Sequence, residues 1–177
     1  MIESEAVILD LREFATFPAR KHLDGEPGRP NLGFDGASSV RSVSIDLSIQ
    51  KSGEEYFCQG EVTASVELEC ARCLEPFTME IKGKTDFIVC PEASVASRKQ
   101  EAEDDEDYVY FQRGELRADL SGIVRQAIVL EVPIKPLCSE SCRGICPQCG
   151  RNLNQGDCGC HIDDVDGRWE GLRNILS

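Results

Sequence analysis

The first half of the chain is written in a two-residue period. Val43, Ile45, Leu47 and Ile49 alternate with Ser44, Asp46, Ser48 and Gln50, the pattern of a strand with one buried and one wet face. Ser52-Gly53-Glu54 turns the chain. Cys58, Val62, Ala64, Val66, Leu68 and Cys70 then run in phase, so the two segments predict an antiparallel pair. After an interruption at residues 70–76, Phe77, Met79 and Ile81 alternate again, and residues 85–89 predict a further strand. Residues 7–11 read as a short first strand and Tyr108-Val109-Tyr110-Phe111 as a late one.

The period changes at Asp119. Leu120, Ile123, Val124, Ala127 and Leu130 share one helical face, with Asp119 as the N-cap and Pro133 as the stop, predicting a helix over 119–131. Trp169, Leu172, Ile175 and Leu176 have the spacing of a short terminal helix. Gly and Pro crowd residues 24–36, a loop. Glu101, Glu103, Asp104, Asp105, Glu106 and Asp107 repel one another within a second loop, expected to be mobile. The fold class is therefore α+β. An antiparallel sheet body with one main helix fills residues 1–137. A cysteine-rich, zinc-binding module ending in a short helix fills residues 138–177.

Six of the ten cysteines, Cys138, Cys142, Cys146, Cys149, Cys158 and Cys160, belong to that module. Cys146-Pro147-Gln148-Cys149-Gly150 has the form of a zinc knuckle, a tight turn that aims two thiolates at one point. Zinc takes four ligands, so two more cysteines complete a site. Cys158 and Cys160 are the favoured pair, because Asn152, Asn154 and Gly156 suit a hairpin return. Cys142 is a substitute for either, and Cys138 lies before the cluster and can be spare. The expectation is one structural zinc, ahead of an iron–sulfur cluster, free thiols or disulfides, with a two-zinc cluster as the rarer arrangement. His161 is the one non-cysteine ligand to consider, and a solvated loop histidine is the plainer reading of it. Cys70-Ala71-Arg72-Cys73 is a second Cys-x2-Cys. Strands flank it, which does not fit a thioredoxin-like redox pair. Buried thiols at a strand junction are preferred there to half of a shared zinc site. Cys58 and Cys90 read as core thiols.

The net charge of −13 opposes general electrostatic attraction to nucleic acid and favours basic partners. Arg20, Lys21, His22 and Arg29 are the nearest thing to a basic patch, diluted by Asp24 and Glu26. No apolar run reaches the roughly 20 residues of a membrane span. The acidic start Met1-Ile2-Glu3-Ser4-Glu5 is unlike a secretory leader, so a cytoplasmic location is expected. In that compartment clustered cysteines favour metal over disulfides. No P-loop, G-x-S-x-G or Gly-rich dinucleotide turn occurs, and no catalytic residues are assigned.

Two stretches together resemble a known family. Leu68-Glu69-Cys70-Ala71-Arg72-Cys73-Leu74-Glu75-Pro76-Phe77 resembles the C-x-R-C-L-E-P signature of the YceD family. The run from Cys138 to Gly150, then Asn152-Leu153-Asn154 and Cys158-Gly159-Cys160, is similar to that family's zinc-bearing branch. The family tail runs Asp-Pro-Arg where this chain has Asp166-Gly167-Arg168. The resemblance implies a non-enzymatic factor supporting accumulation and processing of large-subunit ribosomal RNA. Its implied partner is the pre-ribosomal large subunit, met through a basic ribosomal protein or rRNA, without membrane or small-molecule substrate. Arg143 and Arg151 of the zinc module are the candidate contacts. Some members keep the first cysteine pair and lack the C-terminal cluster, which argues against an obligatory zinc shared between them. The competing reading is a redox-sensing holdase that releases zinc on thiolate oxidation.

Overall fold

The computed structural model describes residues 7–25, 39–92, 107–112 and 114–160. The Gly/Pro-rich loop beyond residue 25, the acidic run at 101–106, His161 and the terminal helix expected around Trp169 lie outside the described residues.

Five strands form the main sheet: β2 (Ala19–Gly25), β3 (Ser39–Ser52), β4 (Glu55–Glu69), β5 (Pro76–Pro91) and β6 (Tyr108–Phe111), in the spatial order β2-β3-β4-β5-β6. All neighbours are antiparallel except β5 and β6, which are parallel. The sheet is therefore mixed at one edge. The two segments expected at 77–81 and 85–89 are one continuous strand, because Thr85 pairs with Gly60 and the ladder never breaks. β2 carries no strong apolar alternation: its faces are half-buried against exposed, with Leu23 as its one large aliphatic side chain.

The register sets the core. Ile45 lies opposite Val62, Ile49 opposite Cys58, Ala64 opposite Ile81, and Cys58 opposite Phe87. All of these are buried, so one face of the sheet is continuously apolar. Among the described residues no polar or charged side chain is buried, and none holds a buried unpaired nitrogen or oxygen. The opposite face is wet. Across it runs the row His22, Asp46, Glu61, Lys84, each paired in register with the next.

The helix α1 (Ser121–Glu131) covers the apolar face over β5 and β4. Gly83 permits its approach: a Cβ there would stand 2.5 Å from the carbonyl oxygen of Ala127. Ile123, Val124, Ala127 and Ile128 are the buried helix residues. Leu130, expected on that face, is 75% exposed, and Ile128 takes its place. The helix also starts later than its sequence pattern predicts. Asp119 ends the short strand β7 (Arg117–Asp119), its carboxylate accepts from the Ser121 N–H, and Leu120 is the N-cap. β7 pairs with β1 (Ile8–Asp10), placing Leu9 beside Ala118, both fully buried. The first strand thus fastens the start of α1. Beyond Glu131, Val132 still packs against the core, and Pro136 accepts a hydrogen bond from Ala71 N–H at 2.8 Å. That contact brings the C-terminal cysteines to the β4–β5 turn.

Candidate metal centre

The first cysteine pair sits on a knuckle between the two longest strands. Cys70 N–H donates to Glu75 O (3.0 Å) and Leu74 N–H to Cys70 O (2.9 Å), which folds residues 70–75 into a tight turn. Leu74 takes a left-handed conformation, φ 61°, to close it. The second knuckle repeats the device: Gly150 N–H donates to Cys146 O at 2.8 Å, with φ 72° at Gly150. Leu74 therefore stands where the second knuckle has its glycine.

Eight cysteines gather as two groups of four. The sulfurs of Cys70, Cys73, Cys138 and Cys142 lie within 4.8 Å of one another, and so do those of Cys146, Cys149, Cys158 and Cys160. In the first group Cys70 and Cys142 are 3.8 Å apart and Cys73 and Cys138 3.7 Å. A tetrahedron of thiolates at about 2.3 Å from zinc has edges of about 3.8 Å. The donor sets therefore fit a four-coordinate, thiophilic cation, and both are positioned to hold a metal.

The groups are bound to each other and to the sheet by hydrogen bonds of backbone and side chain. Arg72, inside the first knuckle, accepts from Ile145 N–H at its carbonyl (3.1 Å) and donates through Nη1 to the carbonyls of Cys142 (3.0 Å) and Glu140 (3.2 Å). Its guanidinium organises the loop that carries two of the cysteines. In the second group Cys146 N–H donates to Arg151 O (2.8 Å) and Leu153 N–H to Gly144 O (2.8 Å). Asn152 Nδ2 reaches Glu75 Oε1, just past the first knuckle, at 3.3 Å.

The thiols are polarised unequally. N–H groups of Cys149 and Gln148 face the sulfur of Cys146 and hold its pKa down at about 6. Burial opposes ionisation of Cys70, but N–H groups of Cys138, Cys73 and Arg72 outweigh it, and this thiol also falls to about 6. The Asn154 carboxamide lowers Cys142, 3.3 Å from its sulfur. Their neighbours go the other way. Burial, then the adjoining sulfurs, push Cys138 up to about 12, and Cys149 and Cys158 do the same to Cys160. Each group is built to carry thiolate charge, yet its members obstruct one another's ionisation. A bound cation removes that conflict, because it favours the deprotonated form of all four ligands. Cys58 differs: burial alone lifts it to about 12, and with Cys90 it lies outside both groups, in the buried body.

Comparison with known proteins places this geometry. The family model described as "Large ribosomal RNA subunit accumulation protein YceD" matches residues 58–176, more than half of the chain and both cysteine groups. The chain belongs to the YceD family. An uncharacterised protein of Mycobacterium tuberculosis (strain ATCC 25618 / H37Rv) is 29% identical over 151 residues, 85% of this chain and 70% of that protein. Two plant proteins, each described as a chloroplastic large ribosomal RNA subunit accumulation protein YCED homolog 1, are 25% identical. The one from Arabidopsis thaliana covers 75% of this chain and 48% of its own length, and the one from Zea mays 75% and 53%. No solved structure matches the chain.

The YceD signature now has a physical reading. Its two cysteines supply half of the first group, its arginine grips the Cys138–Cys142 loop, and its leucine closes the knuckle. From the sequence, Cys70 and Cys73 are expected as plain buried thiols, with Cys142 a substitute ligand and Cys138 a spare for one C-terminal site. The structure buries Cys70 and Cys73 at the strand junction and brings their sulfurs together with those of Cys138 and Cys142, so that eight cysteines form two groups of four. A sequence signal existed: residues 138–142 hold a surplus cysteine pair, and residues 70–73 hold another. Arg143, a candidate contact with Arg151, pairs with Asp157, and both arginines are exposed. Of the candidate basic patch, Lys21 pairs with Glu13 and His22 with Asp46 and Asp24, while Arg20 is exposed. Arg29 lies outside the described residues. Among these residues no helix is long and apolar enough to cross a membrane.

Proposed function

We propose that this protein is a non-enzymatic factor of large ribosomal subunit biogenesis, acting in the cytoplasm to support accumulation and processing of large-subunit rRNA. The observation that carries this reading is the family match, which spans both knuckles under the description of large ribosomal RNA accumulation. Each cysteine group holds one structural zinc. Cys146, Cys149, Cys158 and Cys160 ligate one, and Cys138 and Cys142 join Cys70 and Cys73 on the other. Four thiolates fill the coordination shell and leave no open position for a substrate, which supports a scaffolding role over a catalytic one. The body, residues 1–137, and the module, residues 138–177, then act as two units stapled by the first zinc.

The partner is the immature large subunit, where basic ribosomal proteins lie beside RNA and suit a chain of net charge −13. Arg151 is the contact residue of the module, with Arg143 restrained by Asp157. The redox-holdase alternative finds no support in the descriptions of the relatives. Depletion of the protein should lower mature large-subunit rRNA, and tagged protein should co-sediment with immature large subunits. Normal rRNA with no such association would overturn the function. Metal analysis should give two zinc per chain, and iron would overturn the zinc assignment alone.

A further inference from the structure

Asn154 belongs by sequence to the second cysteine group, between Cys149 and Cys158, yet both ends of its side chain are spent on the first. Its Oδ1 accepts from Arg143 N–H at 2.8 Å, and its Nδ2 donates to Cys142 Sγ at 3.3 Å. The acceptor requirement of the Arg143 N–H fixes which way the carboxamide faces and leaves the N–H2 for sulfur. The loop bearing it is braced locally: Asn152 Oδ1 accepts from Asn154 N–H at 2.9 Å, and Arg151 O accepts from Cys146 N–H. These braces lie inside the span that the second group closes, from Cys146 to Cys160.

We infer that Asn154 couples the two metal sites, so that metal in the second group tightens metal in the first. The inference rests on the zinc reading above. Four thiolates around a divalent cation carry a net double negative charge, and an N–H donated to one sulfur disperses part of it. The same bond orients Cys142 toward the metal. Without metal in the second group, the chain from Cys149 to Cys158 loses its closure, and the carboxamide is no longer held at Cys142. By linkage the effect is reciprocal: metal in the first group fixes Cys142 and Arg143, which anchor Asn154 and thereby the second loop.

The test uses the full chain, with zinc affinity read by competition with a chromophoric chelator. Cobalt(II) substitution adds a direct view of the sulfurs through their charge-transfer bands. Wild-type protein should take up two zinc ions cooperatively. Asn154→Ala should convert this to independent binding, with first-site affinity in the loaded protein down about tenfold, the low end for loss of an outer partner of a ligand. It should also move the cobalt charge-transfer band. In a Cys158→Ser, Cys160→Ser background the first site should already be weak, and Asn154→Ala should weaken it no further. Asn154→Asp keeps the acceptor for Arg143 N–H but sets a carboxylate against sulfur, so it should weaken the first site more than alanine does. It also guards against loop collapse in the alanine variant. An unchanged isotherm in Asn154→Ala would overturn the coupling. So would an equal loss with and without the second site, which would make Asn154 a local partner of Cys142 only. Wild-type protein that takes up fewer than two zinc ions would overturn the zinc reading as well, whereas two non-cooperative sites would overturn the coupling alone.

Discussion

The sheet body and the cysteine module solve the same problem with different materials. In the body, Val62, Val66, Ile45, Ile49 and Val89 are at most 1% exposed, and cohesion comes from apolar area removed from water. In the module, Leu153 is half-buried, Ile145 is 38% exposed, and the buried side chains are Cys142 and Cys146. Under the zinc reading proposed above, cohesion there comes from sulfur and metal. A core stabilised by area tolerates many sequences of similar pattern. A core stabilised by four donor atoms tolerates almost none, but it needs very few residues.

The strongest way to break this comparison is to remove metal. A zinc chelator should abolish hydrogen-exchange protection over residues 138–160 and leave β3, β4 and β5 protected, since structural zinc contributes on the order of 10–16 kcal/mol in isolated finger peptides. Loss of protection throughout the sheet would show that the body leans on the module. Next in size, Cys138→Ser and Cys146→Ser should each lower zinc content from two equivalents to one. The reading from sequence alone ranked Cys138 as spare; an undiminished zinc content in that variant would restore that ranking. Gly83→Ala strikes the body alone. Its Cβ would meet the Ala127 carbonyl, and overpacking of this kind costs about 1–3 kcal/mol, read as a lower urea midpoint at constant zinc content. Leu74→Gly should act in the opposite direction. It relieves a left-handed φ at an exposed leucine and should stabilise the first knuckle by up to about 1 kcal/mol, seen as slower zinc loss to chelator.

The smallest effect is one of pH. Asp46, then Asp24, raise the His22 pKa above its ordinary 6.5. The pairing is complete below the unfolded value and fades as pH rises through the raised folded value. The His22 ring resonances should therefore titrate above 6.5, and Asp46→Asn should bring the midpoint down.

What was legible in the sequence follows the same division. The alternation at 43–50 and 58–70 exposed the central hairpin, because one buried face leaves a period of two. The antiparallel body, the single main helix and the cysteine-rich end were all readable. β2 was missed because Arg20, His22 and Asp24 alternate with half-buried neighbours and carry no strong apolar stripe. Leu130 was misplaced because the helix is turned so that Ile128 faces the sheet. The knuckle at Cys146 was visible by its glycine. Its twin at Cys70 was hidden by Leu74, which adopts a glycine-like conformation without being one. The pairing of residues 70–73 with 138–142 is long-range, and its trace in the sequence is a surplus cysteine pair in each stretch, with nothing local to join them.

That long-range pairing has a consequence in time. Cys73 and Cys138 are 65 residues apart, and Cys70 and Cys142 are 72 apart. A ribosome adding about 5–20 residues per second needs roughly 3–15 s to cover such an interval. Throughout it, the emerging hairpin of β4 and β5 presents two thiols with no companions, a poor trap for any ion. The site becomes competent only once Cys142 has been made. Its closure therefore dates the molecule: a chain truncated before Cys142 cannot complete the clasp.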